Sequence, residues 1–273
     1  MATIKIYILT HKKFNYDENE LYEPILNGSA LLEEDFGYTR DDTGDNISEL
    51  NPYYAELTGE YWVWKNSNVD IVGFCHYRRF FFKNIFLKRL EKKDIENILN
   101  KYDIILPHKR HLKNTIIESA NVDDLTMKLY PDLNHIPIDK PEDYYKLRDI
   151  VEKISPEYLE AYDKLMNSKE IYWYNMLICK KELFDDYFNW LYKILEEYRK
   201  QTDMTKYNKH YQRILGYLSE RLLNVYVIKH ELKVKEKYVV LEGLRAPRVS
   251  IIANRFPTLQ LIFNKLLLIR KKL

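Results

Sequence analysis

Residues 76–79 read HYRR and place an imidazole, a phenol and two guanidinium groups directly after the apolar stretch VDIVGFC. Guanidinium groups bind phosphate oxygens through pairs of N–H donors, so this cluster indicates a site for a phosphate-bearing ligand. The apolar stretch predicts a buried strand. Alternation along an extended chain then predicts that His76 and Arg78 lie on one side, with Tyr77 and Arg79 on the other. One side would face a ligand while the other anchors the chain to the protein.

Two further apolar stretches end in basic clusters. THKK follows IKIYIL near the amino terminus, and HKRH, residues 108–111, follows YDIILP. The first cluster fits a nucleotide contact and a solvated loop equally well, whereas the second is more typical of a solvated loop. The carboxyl ends of parallel strands meet at one edge of a sheet, where α/β proteins bind their ligands. The three clusters are therefore predicted to converge on one basic cleft.

The acidic residues allow competing interpretations. DDTGDN, residues 41–46, has carboxylates for a divalent cation, but it lacks the spacing of an EF-hand, and a turn that contacts ribose or base is favoured. The same loop could instead anchor one arginine of HYRR. Glu220 lies among apolar residues in YLSERLLNVY. It is either the buried partner of Arg213 or Arg221, or a general base.

The elements that must position these residues alternate between strand and helix. This alternation predicts an α/β fold with a mostly parallel, doubly wound central sheet flanked by helices. Two of the predicted helices have a clear apolar stripe. In PYYAELTGEYWVWK the stripe is Tyr54, Leu57, Tyr61 and Trp64, and in DDYFNWLYKILEEYRKQ it is Phe188, Leu191, Tyr192 and Leu195.

Composition argues against several classes of function. The 273 residues have a net charge of +2 and contain no glycine-rich phosphate-binding motif, so neither nucleic-acid binding nor a P-loop is predicted. The two cysteines lie in apolar stretches, which is typical of buried thiols rather than of a disulfide or a zinc site. No secretory signal and no transmembrane stretch is recognised, which predicts a cytoplasmic protein.

The carboxyl-terminal residues 246–273 are apolar and end in consecutive cations. This pattern predicts a basic amphipathic segment that binds a membrane surface, with docking of a helix on its own domain as the alternative. The expected organisation is a main domain at residues 1–245 followed by this segment. The expected location is peripheral, on the inner face of the cell membrane.

An ordered series of motifs carries a resemblance to a known family: THKK, GDNIS, NPYYAELT, YWVWKN and HYRR, then YNMLICKKELFDDYFNWL and LGYLSERLLNVY. Over residues 4–242 the sequence resembles the domain-of-unknown-function 4422 family of bacterial capsule, exopolysaccharide and O-antigen gene clusters. The resemblance implies a glycosyltransferase with a GT-A-like, Rossmann-type fold, and galactofuranosyltransferases are among its members. It implies a UDP-sugar donor and a lipid-linked oligosaccharide acceptor. HYR occupies the place of an Asp-x-Asp metal motif, so no cofactor is expected, and a divalent metal such as manganese is not favoured.

These considerations give each candidate residue an expected role. The nucleotide would be contacted by Thr10, His11, Lys12, Asp45 and Asn46. The donor cleft would be lined by Glu56 and Tyr61, and the diphosphate would be bound by His76, Arg78 and Arg79. Asn175, at a predicted strand-to-helix turn, would face the acceptor sugar, and Glu220 would be the general base of an inverting transfer. A non-catalytic, membrane-associated scaffold of a polysaccharide assembly complex is the alternative, and a metal-dependent phosphotransferase or nuclease using DDTGD is a third hypothesis.

Overall fold

The computed structural model describes residues 2–16, 18–84, 86–112, 114–120 and 141–241. Its strands are β1 (Ile4–Thr10), β2 (Tyr22–Leu26), β3 (Thr39–Arg40), β4 (Ile71–His76), β5 (Arg79–Phe82), β6 (Ile104–Pro107), β7 (Arg110–His111), β8 (Glu170–Ile171), β9 (Ile178–Lys180) and β10 (Val234–Leu241). Its α-helices are α1 (Asn51–Tyr54), α2 (Leu57–Asn66), α3 (Lys92–Leu99), α4 (Ile116–Ser119), α5 (Pro141–Ile154), α6 (Leu159–Met166), α7 (Lys181–Gln201) and α8 (Ile214–Lys229).

The main sheet has the order β3-β2-β1-β4-β5-β10-β6-β9, and β9 also pairs with β4. The α/β class is therefore confirmed, whereas a mostly parallel sheet is not, because parallel and antiparallel pairings are equally numerous in the sheet as described. Among the described strands, parallel pairs join β1 to β2, β1 to β4, β2 to β3 and β6 to β10. The other four pairings of this sheet are antiparallel. The sheet is thus a parallel side, β3-β2-β1-β4, continued by a mixed side.

The mixed side closes on itself as a five-stranded barrel of β4, β5, β10, β6 and β9. Closure requires β9 to approach β4 closely, and Gly73 of β4 pairs with Ile178 of β9. A Cβ on Gly73 would lie 2.8 Å from the Cγ1 of Ile178, so a side chain at this position would push β9 away. Glycine inside a strand commonly marks such a close backbone approach.

The parallel side contains a switch in connection direction between β1 and β4. From β1 the chain moves outward to β2 and β3, and it then returns to the other flank of β1 as β4. In the parallel register Leu9 lies beside His76, so the carboxyl ends of both strands reach the same edge. Ligands of open α/β sheets bind outside the carboxyl ends of strands at such a switch.

The HYRR cluster forms a hairpin rather than a continuous strand end. β4 stops at His76, Tyr77 and Arg78 make the turn, and β5 begins at Arg79, which pairs directly with His76. The predicted alternation across residues 76–79 is therefore wrong, because residues opposite each other in an antiparallel pair share a face. His76 and Arg79 lie on one face, and the turn projects Tyr77 and Arg78 beyond the sheet edge.

Two apolar cores lie on opposite faces of the sheet. In β1, Ile6 and Ile8 belong to one core, while Tyr7 and Leu9 belong to the other, which also contains much of α7 and α8. The apolar stripe predicted for α7 is confirmed, since Phe188, Leu191, Tyr192 and Leu195 are all buried. Burial on both faces explains why β1 and β4 are near-continuous apolar stretches.

The helix predicted at residues 52–65 is broken. It consists of α1 and α2, and between them Ala55 has φ 50° and ψ −126°. In the described part of the chain, no helix is long and apolar enough to cross a membrane. The predicted membrane-surface segment at residues 246–273 lies outside the described residues.

Candidate functional site

The turn between β4 and β5 gathers cations from two strand ends around Tyr77. The Nζ of Lys12 lies 5.2 Å from the centroid of the Tyr77 ring, and the guanidinium carbon of Arg78 lies 4.9 Å from it. The His11 ring packs edge-on against the same ring, with centroids 5.4 Å apart. We call His11, Lys12, Tyr77 and Arg78 the Tyr77 cluster. It lies at the switch between β1 and β4, as the sequence predicts for the first two basic clusters.

The Tyr77 cluster has an excess of positive charge. Lys12, Arg78 and the nearby Arg213 form no salt bridge with a carboxylate within the described residues. Partial burial lowers the pKa of His11, and the charges of Lys12, Arg78 and Arg213 lower it further. Cations that lie close together without a counter-charge raise the local concentration of anions, so this surface is suited to a phosphate group.

The Thr10 side chain is buried beneath the Tyr77 cluster and supports the backbone of that cluster. Its side chain is 1% exposed, and its Oγ1 donates to the backbone oxygen of Lys12 at 2.7 Å. The same Oγ1 accepts the backbone N–H of Lys12 at 3.2 Å. The expected nucleotide contact by Thr10 is therefore corrected: the hydroxyl closes a local turn that presents His11 and Lys12.

A second cation group surrounds Tyr174, in the loop between β8 and β9. The guanidinium carbons of Arg79 and Arg110 lie 4.7 and 5.3 Å from the Tyr174 ring centroid, and Arg110 also donates to the phenol oxygen. We call these three residues the Tyr174 cluster. Arg110 belongs to HKRH, so the third strand end contributes to the cleft. The interpretation of HKRH as a solvated loop did not predict this contribution.

The other members of HKRH are paired with carboxylates. His108 contacts Glu236 at 2.8 Å, and Lys109 and His111 both contact Glu170. Strand β7 thus directs Arg110 to the Tyr174 ring, while its neighbours lie against acidic side chains. The four-residue pattern alone does not separate these roles, because the pairing partners come from distant segments.

A carboxylate, Glu56, lies at the same edge of the sheet. Its Oε1 accepts a hydrogen bond from the Nδ2 of Asn175 at 3.1 Å, and that amide also donates to the backbone oxygen of Gly216 at 3.0 Å. Asn175 is 3% exposed and lies in a loop between two strands, not in a strand-to-helix turn. Its expected contact with the acceptor is corrected, because its amide group holds Glu56 to α8.

The loop that carries Asn175 has an unusual backbone. Tyr174 has φ 86° and Asn175 has φ 50°, which for residues with a side chain is a strained, left-handed conformation. Glu220 holds this loop through its Oε1, which accepts the backbone N–H of Tyr174 at 2.9 Å. The Oε2 of Glu220 accepts from Nη1 of Arg221 at 3.1 Å, so the structural ion pair considered for Glu220 is present.

His76 lies next to these groups as a neutral imidazole. Burial lowers the pKa of His76 to about 4; the negative charge of Glu56 opposes this shift and the positive charge of Arg79 adds to it. Its Nε2 is enclosed and has no hydrogen-bond partner in the described part of the chain. Contact of His76 with a diphosphate as a cation is therefore not supported, while Arg78 and Arg79 remain positioned for such contacts.

The acidic loop packs against α2. Asp45 accepts from the Tyr61 phenol at 3.1 Å, and its backbone oxygen accepts from Asn66 at 2.9 Å. Asn46 donates to Gly44. Asn66 is the last residue of α2, about 15 Å along the helix from Glu56 at 1.5 Å per residue. The donor contacts expected for Asp45, Asn46 and Tyr61 stay predictions.

The carboxylates of this loop are engaged within the protein. Asp42 pairs with Arg40 at 2.7 Å, and the fully buried Asp41 accepts from the backbone of Gly28 and Ser29. The loop was expected to anchor one arginine of HYRR, and among the described residues Arg78 forms no salt bridge with it. Within the described ranges, no group of three or more His, Cys, Asp or Glu side chains is arranged to hold a metal ion.

Glu60 is a buried acid behind the site, one helical turn from Glu56. Burial raises the pKa of Glu60 well above its usual range, and the negative charges of Glu56 and Glu220 raise it further. The folded protein therefore holds this proton more tightly than the unfolded chain does. The contribution of Glu60 to stability is present at low pH and is lost as the pH rises through the pKa of the folded state.

We expect Glu60→Gln to flatten the dependence of stability on pH. Between the pKa of Glu60 in the unfolded chain and that in the folded protein, the free energy of unfolding of the unmodified protein should fall by about 1.4 kcal/mol per pH unit relative to that of the variant. Urea unfolding of both proteins at several pH values between 5 and 8 measures this difference. Glu49→Gln, at an exposed position, is the control. If the free energies of unfolding of the unmodified protein and Glu60→Gln differ by the same amount at every pH in this range, Glu60 is ionised in the folded protein.

A surface cavity of about 1050 Å³ lies at the opposite edge of the sheet, lined in part by Thr3, Lys5, Arg89 and Lys92. Thr3 precedes β1, so this cavity lies at the amino ends of the parallel strands. The candidate site is assigned to the other edge because the two cation clusters and the held carboxylate meet there.

Comparison with known proteins identifies the family of this chain. A family model described as a domain of unknown function, number 4422, matches residues 5–231. Among solved structures, the chain is similar to one described as the WbbM bifunctional glycosyltransferase in its apo form, with 31% identity and a TM-score of 0.76. The match covers 89% of this chain and 46% of that chain, so the protein spans less than half the length of that solved chain. A search of curated proteins found no match. Because the family model covers most of its sequence, the protein belongs to the domain-of-unknown-function 4422 family.

Proposed function

We propose that the protein is a glycosyltransferase that takes its sugar from a nucleoside diphosphate donor. The observation that carries this proposal is the Tyr77 cluster, in which Lys12 and Arg78 lie without a salt bridge in the described structure at the switch between β1 and β4. This is the position at which α/β proteins bind nucleotides. The similarity to a solved bifunctional glycosyltransferase supports transfer of a sugar over other reactions of nucleotides.

The chemistry follows from where charge develops during transfer. When the bond from the anomeric carbon to the donor phosphate breaks, the electron pair stays on the leaving diphosphate. Lys12, Arg78 and Arg213 are placed to stabilise that charge, as preorganised cations do in other enzymes. The Tyr174 cluster, with Arg79 and Arg110, lies on the other side of the hairpin and would contact the sugar or the second phosphate. We predict that these cations take the place of a divalent ion.

The finer assignments rest on the family resemblance. Uridine as the nucleoside, galactofuranose as the sugar and a lipid-linked oligosaccharide as the acceptor, within capsule, exopolysaccharide or O-antigen synthesis, are what that resemblance implies. Attachment to the inner face of the membrane through residues 246–273 completes this proposal. An inverting outcome is proposed together with a general base.

The proposal is tested by nucleotide binding. We expect UDP and UDP-sugars to raise the melting temperature of the protein in a thermal-shift assay, because ligands that bind only the folded state stabilise it. The panel should include ADP, GDP, UDP, UDP-galactose and UDP-galactofuranose, each with EDTA and with manganese. A shift that is specific for UDP and survives EDTA is the expected result.

Other outcomes change the proposal in defined ways. A shift that needs manganese would contradict diphosphate binding by cations alone. Binding of UDP-sugar without release of UDP, with or without acceptor, would favour the non-catalytic scaffold. The absence of a shift with every nucleotide would remove the transferase proposal itself.

A further inference from the structure

Two carboxylates lie at the site, and their surroundings differ. Both oxygens of Glu220 already accept hydrogen bonds from the protein, one from the Tyr174 backbone at 2.9 Å and one from Arg221 at 3.1 Å. Arg221 is 2% exposed and lies over the Trp173 ring at 4.7 Å, so this pair is fixed by packing. Glu220 is thus committed to holding the loop before β9.

Glu56 is held by only one oxygen. Its Oε1 accepts from Asn175, while its Oε2 has no hydrogen-bond partner within the described residues and is not among the enclosed polar atoms. Ala55, directly before it, has a positive φ of 50° and ends the first helix. Strained backbone of this kind persists where the surrounding structure fixes a side chain for a task. The break between α1 and α2 turns Glu56 toward the strand ends.

The contacts form a continuous chain from α8 to Glu56. Gly216 and Glu220 are one turn apart and share a face of α8. Gly216 accepts from the Asn175 amide, and Glu220 accepts from the Tyr174 backbone, so one helix face holds both residues of the strained loop. Asn175 then holds Glu56. A change at Glu220 would therefore reach Glu56 through the loop.

We propose that Glu56 is the general base of the transfer, and that Glu220 is a positioning residue which holds the loop that orients Glu56; this inference rests on the proposed transferase function. In the reaction, Oε2 of Glu56 takes the proton of the acceptor hydroxyl as its oxygen bonds to the anomeric carbon. The bond from that carbon to the donor phosphate breaks, and UDP leaves with the electron pair. The proton on Glu56 is released to water after the products leave.

Two titratable groups are coupled to the charge of Glu56. Burial holds His76 from β4 in its neutral form down to a pH of about 4, and burial raises the pKa of Glu60 from α2 well above its usual range. Because Glu60 lies beside Glu56 and titrates above the usual carboxyl range, a pH profile would not separate the two residues. The test therefore compares variants at one pH.

The test compares Glu56→Gln with Glu220→Gln in the full chain. The readout is release of UDP from UDP-galactose and UDP-galactofuranose, with water as acceptor. We expect Glu56→Gln to lower kcat by about 10²–10⁴-fold with little change in KM, which is the usual loss when a general base is removed. Glu220→Gln should lower kcat by a smaller factor, also with little change in KM.

Asn175→Ser provides a second, independent variant should Glu56→Gln fail to fold. It leaves the charge of Glu56 but removes the amide that holds Oε1, so kcat should fall about tenfold, a loss of about 1.4 kcal/mol, at unchanged UDP affinity. The inference is overturned if Glu56→Gln turns over within a few-fold of the unmodified protein, or if Asn175→Ser leaves kcat unchanged. If the unmodified protein binds UDP but never releases it from a donor, the transferase function itself fails, which is a separate result.

Discussion

Replacing Asp41 by alanine is expected to lower the free energy of unfolding by about 3–5 kcal/mol. The side chain is fully buried and accepts four hydrogen bonds, from the backbone of Gly28 and Ser29 and from the hydroxyls of Ser29 and Ser48. Alanine would leave these donors without their acceptor inside the protein. Each unsatisfied buried donor costs about 1–3 kcal/mol, and water that enters the gap recovers part of this loss.

Urea unfolding measures this effect, and Asp42→Ala is the matched control. Asp42 is the next residue and pairs with Arg40 on the partly exposed side of the same loop. Loss of such a surface pair changes stability by about 0–1 kcal/mol. A loss below about 1 kcal/mol for Asp41→Ala would show that the loop is held by other contacts.

Arg78→Ala and Lys12→Ala are each expected to weaken UDP binding by about 10- to 100-fold. A hydrogen bond to a charged group contributes about 1.5–3 kcal/mol, and each 1.4 kcal/mol corresponds to a factor of ten in affinity. Because both cations are exposed at the sheet edge, the affinity of the unmodified protein should also fall as salt is added. Isothermal titration with UDP at two salt concentrations measures both effects.

Lys65→Ala is the control for these variants. Its Nζ lies 3.4 Å from the centroid of the Trp64 ring, so it is a cation over an aromatic ring like Lys12, but it lies near the far end of α2. It removes the same charge from the protein and should leave UDP affinity unchanged. Equal losses in all three variants would indicate that net charge alone attracts UDP, and the Tyr77 cluster would no longer define a site.

The fold was predictable where a segment is buried on both faces. IKIYIL and VDIVGFC are continuous apolar stretches, and both are central strands. Strand β2 was missed because its sequence, YEPIL, contains Pro24, which argues against a central strand. Proline is tolerated there because β3 pairs only with Ile25 and Leu26, so no neighbour requires the missing N–H. The closed barrel was not predicted, because its pairings join segments that are far apart in sequence.

The site was predictable where strand ends meet. His11, Lys12 and Arg78 were expected together because parallel neighbours end at one edge, and they do lie around Tyr77. Local patterns gave no signal for Arg213 or for the contact of Glu56 with Asn175, which are 119 residues apart. The path of the loop at residues 41–46 gave no local signal for the same reason. Its composition indicates turns, but the direction in which it leaves the sheet depends on packing against α2.

Closure of the barrel also affects how the protein behaves at high concentration. A strand with an unpaired flank is a template to which another chain can add by backbone hydrogen bonds. In the main sheet as described, β4, β5, β10, β6 and β9 use both flanks within the ring, and the outermost strand, β3, has two residues, Thr39 and Arg40. An edge so short, and ending in an arginine, offers little for strand addition. The same pairings that place the β4–β5 hairpin therefore leave the ring without an unpaired strand flank.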